Sequence, residues 1–308
     1  MCIRDSHYRS APLFIERSKK LNGTSPIYDL GLSFMASLDD PISGGRHKVI
    51  GSKELNIPPQ TSTIASHLPK AVGTAFSIDH AKGLDISERC LLDESIVICS
   101  FGDASSNHAT ALSAFNTASL ISNQGGHVPI VFICEDNGLG ISVPTQANWI
   151  EENFKNRNCI EYIKTDGLNV IDLFNKTLIA EKACRSKRKP VFLHMKTVRL
   201  MGHAGSDVEL GYQSIKDLEG SEYNDPLLHT SRILIENNCL TTEDILTLYE
   251  LSRNRVNHIF NTATLRPTLM SSKQVMSSIS LNMDQKEPPT KPDDNIRKNK
   301  LGLSLIHI

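Results

Sequence analysis

Apolar positions fall along this chain in two patterns. Short unbroken runs, Ile96-Val97-Ile98-Cys99-Ser100-Phe101 and Val128-Pro129-Ile130-Val131-Phe132-Ile133-Cys134, contrast with longer stretches in which apolar residues recur every three or four positions. The runs predict strands buried on both faces, as in a parallel sheet, and the spaced stretches predict helices packed over them. Between the two runs lies an Ala-, Leu-, Ser- and Thr-rich segment, from about Asn107 to Ser122, that predicts a crossover helix. Strand, helix and strand make a right-handed βαβ unit, whose two strand-end loops fall side by side at the carboxyl edge of the sheet.

Both flanks keep this rhythm. Upstream, two short helices are predicted between residues 7 and 37, interrupted by Gly23 and Pro26, and then a Gly- and Pro-marked loop from Pro41 to Gln60. A helix follows from Thr61 to about His80, entered through a Thr/Ser-rich turn. Downstream come a helix near Trp149 to Lys155, a strand near Glu161 to Thr165, a helix from Val170 to Arg185 and a strand from Pro190 to Val198. Such alternation predicts an α/β, doubly wound fold with a mainly parallel sheet. Past Arg199 the pattern gives a long loop to about Tyr212 and C-terminal helices near Asp225 to Asn237 and Thr242 to Ala263, the second capped around Thr241. The expected folded domain spans residues 7–265, and residues 266–302 form a polar linker or tail with an extended Pro-rich stretch at 286–294. Residues 1–6 (MCIRDS) and 303–308 (LSLIHI) fit neither flank; they resemble translated cloning scars and are set apart from the fold.

Bulk composition narrows the class. With 308 residues, 39% of them hydrophobic, the chain can bury one large or two modest cores. A net charge of -1 with thinly spread Lys and Arg argues against nucleic acid, and Lys187-Arg188-Lys189 reads as a solvated helix end. No apolar run approaches the roughly 18 to 20 residues of a membrane span, and no signal segment opens the chain, so a cytoplasmic protein without membrane contact is expected. The seven cysteines are odd in number and without CxxC spacing, which predicts neither disulfides nor zinc.

The candidate chemistry sits at the strand ends. Asp103 follows Gly102 after the first run, and Asn137 lies in Asp136-Asn137-Gly138 after the second. A carboxylate and an amide oxygen meeting there suit a hard cation such as Mg, which commonly keeps phosphate in its shell. By themselves these are ordinary turn residues.

Their company is more specific. Gly102-Asp103-Ala104 followed by Asp136-Asn137-Gly138 resembles the thiamine diphosphate motif. Three further stretches fall in order around it: Ile64 to Gly73, Gly138 to Thr145, and Arg199-Leu200-Met201-Gly202-His203-Ala204-Gly205-Ser206-Asp207. Together, from Tyr8 to about Leu265, the chain resembles the alpha subunit, or alpha half, of the thiamine-dependent 2-oxo acid dehydrogenases. The resemblance implies a thiamine diphosphate-binding fold with Asp103, Asn137 and the Leu139 carbonyl on Mg. It implies Gly102, Ala104, Arg199, Tyr8 and Arg9 along the diphosphate, and Ser62 and Ile64 at the aminopyrimidine. A K ion near Ser62 and Ser66, and chemistry at His203 and His47, are also implied. Asp136 departs from the family's usual Asn, and Ala204 stands where mitochondrial relatives carry a regulatory serine.

The implied activity is oxidative decarboxylation of a 2-oxo acid, branched-chain favoured and pyruvate the other choice, with acyl transfer to lipoamide. A beta subunit or fused beta domain would supply the activating glutamate, in a heterotetramer served by a lipoyl acyltransferase. Acetoin dehydrogenase or another thiamine enzyme would share the metal motif, and a non-catalytic alpha-type subunit would share only the scaffold.

Overall fold

The computed structural model describes residues 2–5, 11–23, 25–59, 63–83 and 91–278. The chain divides into two compact units, Met1–Thr268 and Leu269–Ile308.

In the first unit, five parallel strands run in the order β1-β2-β3-β7-β6: β1 (Cys2–Asp5), β2 (Ile96–Gly102), β3 (Ile130–Asp136), β6 (Glu161–Asp166) and β7 (Val191–Lys196). The two unbroken apolar runs are the adjacent strands β2 and β3, paired in register from Val97↔Ile130 to Gly102↔Glu135. Residues 2–5, set apart in the sequence reading, pair along the open edge of β2. Such an edge accepts any extended segment of matching length, because pairing uses only backbone N–H and C=O groups.

Helices cover both faces. α3 (His67–Gly83), α4 (Ala109–Asn123) and α5 (Trp149–Phe154) share one core with the sheet, where Phe101, Phe115, Phe132, Phe154 and Phe192 form an aromatic cluster. Phe154 stacks on Phe192 at 3.9 Å between ring centroids, and Phe115 meets Phe132 edge-on at 5.0 Å, geometries that add to simple burial. α6 (Val170–Lys187) buries only Ala180 and Cys184, packing on Ile96, Val131, Val191 and Leu193 of the opposite face. Its N-cap is Asn169, whose side chain accepts from the amides of Ile171 and Asp172.

Upstream, α1 (Ala11–Ser18) and α2 (Pro26–Phe34) enclose a third small core with Ile50, Leu55 and Ile57 of the following loop. A two-residue hairpin, β4 (Leu139–Gly140) with β5 (Val143–Pro144), follows β3. Past the sheet come α7 (Ile215–Tyr223), α8 (Pro226–Glu236) and α9 (Thr242–Ala263), and α9 returns to pack its end on α2, with the Phe34 and Phe260 rings 5.8 Å apart. In the second unit, α10 is Ser272–Met276. Among the described residues, no helix is long and apolar enough to cross a membrane.

Three details differ from expectation. α7 occupies a stretch, past the predicted loop to Tyr212, for which no element is predicted; its signal is polar, a capping box between Ser214 and Asp217, rather than an apolar stripe. α10 lies within the expected linker, started by Ser271 accepting from the Gln274 amide. Arg188 is not a solvated helix end. Residue 188 adopts φ 52° to close α6, and its guanidinium makes a bidentate pair with Asp79 of α3 at 2.9 and 3.0 Å while donating to the Ser95 carbonyl at 2.9 Å. The expected Pro-rich extended stretch and residues 303–308 lie outside the described residues.

Candidate active site

The ends of β2 and β3 set the site. Asp103 is the first residue past β2 and is buried; its backbone carbonyl accepts from the Ser106 amide and hydroxyl, which turns the chain into α4. Its Oδ2 accepts from the Thr145 hydroxyl at 2.5 Å. Burial raises the Asp103 pKa; the Thr145 hydrogen bond opposes that rise and nearby Asp136 adds to it. An acid in this condition gains by meeting a cation.

Asn137 follows β3 directly. Its side-chain oxygen accepts from the Leu139 amide at 3.0 Å, an Asx turn that leaves one lone pair for a ligand. Pro144, the register partner of Leu139, has no N–H and makes no claim on the Leu139 carbonyl. Gly138 sits at φ 78°, with open space where a Cβ would stand. A Cβ on Gly140 would meet the Ala104 Cβ at 2.9 Å, so the loops after β2 and β3 touch only because both residues are small.

Asp103, Asn137, Leu139 and Gly140 line one cleft of about 430 Å³, together with Ile64, Gly102, Ala104, Arg199 and His203. Eight of the residues expected from sequence thus meet at one place. Ser105, Asn107 and His108 also line it; nothing in the strand-end reading pointed to them, because their position depends on the 3-10 turn before α4. Thr145, brought to Asp103 from 42 residues away by the β4–β5 hairpin, was likewise not read as a site residue.

Arg199 is buried and only partly free. Its terminal nitrogens donate to the Ile141 carbonyl at 2.6 Å and the Tyr212 hydroxyl at 2.5 Å, and its Nε is buried without a partner. Tyr212 donates in turn to Asp207 Oδ2 at 2.7 Å, and the His203 amide donates to the same oxygen at 2.6 Å. The Tyr212 and His203 hydrogen bonds hold the Asp207 carboxyl below its ordinary pKa. Asp207 and Tyr212 therefore shape the loop that carries His203, a role visible only once the loop is folded.

Not every expected residue arrives. His47 is exposed in the loop before α3 and does not line the cleft. Ser66 donates to the Thr63 carbonyl at 3.0 Å and is also absent from the lining. Tyr8, Arg9 and Ser62 lie outside the described residues. A larger cavity, about 510 Å³ between α1, α2 and the 40–55 loop, contains none of the expected residues.

The donor set fits magnesium with a diphosphate. One carboxylate, one amide oxygen and a backbone carbonyl are hard oxygen ligands and too few to complete an octahedron, so phosphate oxygens would fill the remainder. No cluster of three or more His, Cys, Asp or Glu side chains that could hold a metal occurs among the described residues. Arg199 lines the same cleft and brings a guanidinium to it, the planar donor that suits a phosphate; Asp207 and Glu209 lie 3.8 and 3.9 Å from its terminal nitrogen.

Comparison with known proteins gives the family. The model of the family "Dehydrogenase E1 component" matches residues 3–271. The chain is 26% identical over 232 residues to the 2-oxoisovalerate dehydrogenase subunit alpha, mitochondrial, of Mus musculus, covering 74% of this chain and 49% of that protein. The Homo sapiens protein of the same name is 26% identical over 221 residues, covering 70% and 46%. The pyruvate dehydrogenase E1 component subunit alpha, mitochondrial, of Dictyostelium discoideum is 23% identical over 220 residues, covering 71% and 54%. The chain spans about half the length of these relatives.

Proposed function

Since the chain belongs to the dehydrogenase E1 component family, we propose that it is the alpha-type part of a thiamine diphosphate-dependent 2-oxo acid dehydrogenase, working with a beta partner and a lipoyl acyltransferase. The observation carrying this reading is the convergence of Asp103, Asn137, Leu139, Arg199, His203 and Ile64 on one cleft at the carboxyl edge of the sheet. Bound thiamine diphosphate would supply the nucleophilic carbon for attack on the oxo group and the electron sink for loss of CO2. Asp103, Asn137 and the Leu139 carbonyl would hold Mg, and Arg199 would take a phosphate oxygen by giving up part of its hold on Tyr212. Ile64, half exposed at the mouth of the cleft, would press against the organic part of the cofactor. His203, fixed through its own amide, would donate to phosphate or to the substrate carboxylate.

Among the described lining residues there is no glutamate to activate the cofactor, which supports a site completed by the beta partner. Branched-chain 2-oxo acids are the favoured substrates, supported by the names of the Mus musculus and Homo sapiens relatives, with pyruvate the alternative by the Dictyostelium name. Assembled with a beta partner, the protein should be stabilised by Mg with thiamine diphosphate, and the Asp103→Ala variant should not be. Equal stabilisation of both rejects the site. Turnover of 3-methyl-2-oxobutanoate against pyruvate by the reconstituted complex decides the substrate.

A further inference from the structure

A second carboxylate stands beside the metal-binding pair, and the proposed function gives it no part. Asp136 closes β3, is buried, and lines a further cleft of about 440 Å³ together with Asp103. Two acids this close to one cation site would ordinarily repel an incoming diphosphate. Here the second is held on three sides. Its Oδ2 accepts from His194 Nε2 at 2.7 Å and from Lys196 Nζ at 2.9 Å, and its backbone carbonyl accepts from the Thr197 amide at 2.9 Å. On the far side of the imidazole, Nδ1 lies 2.6 Å from the Tyr162 hydroxyl, so a neutral ring can donate to Asp136 while accepting from the phenol. The row Tyr162–His194–Asp136 crosses three neighbouring strands, β6, β7 and β3, and stops one residue short of Asn137.

Asp136 remains charged in this setting. Burial alone would raise its pKa, but the His194 and Lys196 hydrogen bonds and the Lys196 charge bring it below the ordinary value. Its carboxylate stands beside the metal pair, since Asp136 and Asp103 line the same cleft. Among the described residues Lys196 is the one full cation bonded to it, and its side chain is about half exposed (49%).

We propose that Lys196 and Asp136 form a charge-matched positioning pair, in which Lys196 cancels the second carboxylate so that the metal–diphosphate cleft keeps the net charge it would have with an amide at position 136. The inference rests on the proposed function, because it needs an anionic ligand at the strand ends. Asp136 could be an uncharged amide without losing its hydrogen bond from Lys196 or His194, so its acidity calls for a compensating cation, and Lys196 provides it.

The test is a double-variant cycle on the protein assembled with its beta partner, reading the dissociation constant of thiamine diphosphate at saturating Mg by calorimetry. Lys196→Gln should weaken binding about fivefold, the size of one uncompensated charge acting across several ångströms of half-screened medium, and the loss should shrink as salt is raised. Asp136→Asn should bind at least as tightly as the parent. The double variant should return to within about twofold of the parent. A packing role predicts the opposite: Asp136→Asn weaker, the double variant no better than Lys196→Gln, and no dependence on salt. If the parent binds and Lys196→Gln is unchanged, or the double variant fails to recover, the charge-matched pair is overturned and the proposed function stands. If the parent does not bind Mg with thiamine diphosphate at all, both fall. Asp136→Asn differs from the parent by one atom, so it keeps the cycle readable should Lys196→Gln fold poorly.

Discussion

The central sheet and helix α9 both carry large apolar residues and use them in opposite ways. On β2, β3 and β7, Phe101, Phe132 and Phe192 are wholly buried against α4 and α5. On α9, Leu246, Leu248, Tyr249 and Leu251 are all more than half exposed, and Ala263 is the helix's one buried residue. A run of apolar residues in a strand between two helical layers has to be buried within its own chain. An apolar stripe on a peripheral helix can remain open until another surface covers it. The sheet therefore explains why the strand ends stand where they do, and α9 leaves an apolar face open within this chain.

The sharpest way to break that contrast is to hollow out the sheet. Phe192→Ala removes a ring that touches Phe101, Phe115, Phe154 and Tyr162. A loss of about 3–5 kcal/mol is expected by chemical denaturation. A loss below about 1 kcal/mol would mean that the aromatic cluster is not the core.

Smaller is the effect expected at the sheet's functional edge. Asp103→Ala should leave the unliganded protein close to its parent stability, since burial already disfavours this carboxylate. It should abolish the stabilisation by Mg with thiamine diphosphate, which for the parent is about 2.7 kcal/mol at a ligand concentration 100 times its dissociation constant. Thermal melts with and without ligand separate the two effects.

Why the sheet and the strand-end residues were legible in sequence, and the surrounding contacts were not, follows from the kind of signal each leaves. Val97 to Phe101 and Ile130 to Cys134 lie next to one another in the chain, and burial on both faces forces them to be apolar, so pattern alone finds them. Asp103 and Asn137 directly follow the strands that those runs form, so their place at the ligand edge follows from topology. Arg199, His203 and Ile64 needed the family resemblance to be drawn in. Thr145, Asp207, Tyr212 and His194 meet their partners through loop closure or cross-strand register, which leaves no periodic trace. His47 shows the converse: a histidine in a loop that the resemblance drew in, exposed and outside the lining of the cleft. α7 was hidden because its start is encoded by a Ser214–Asp217 capping box rather than by apolar spacing.

Tyr162 tests the sheet at a finer scale. Burial raises its pKa well above that of a free phenol, with repulsion from Glu151 adding to the shift. The folded state keeps this proton to higher pH than the unfolded chain does. Its contribution to stability is therefore complete below about pH 10 and is lost as pH rises from the free-phenol value through the raised one. Tyr162→Phe should cost about 1 kcal/mol near neutrality through the lost hydrogen bond to His194. It should also flatten the alkaline limb of the stability profile, measured by urea denaturation from pH 8 upward. An unchanged alkaline limb would place the titrating group elsewhere.

The smallest effect on the chain's own stability is expected on α9, and it bears most directly on the contrast. Leu248→Ser and Leu251→Ser each replace a side chain that is already more than half in water, so little transfer free energy is lost within this chain. Denaturation of the chain alone should shift by no more than about 0.5 kcal/mol for either. If the face is covered by a partner, the same two variants should weaken assembly with a beta partner at least about tenfold, since apolar anchors at the centre of an interface commonly carry more than 1 kcal/mol. A stability loss approaching that of Phe192→Ala would show that α9 is packed within its own chain. Unchanged assembly would instead move the partner surface to another exposed stripe, such as the one on α6 formed by Ile171, Phe174 and Leu178.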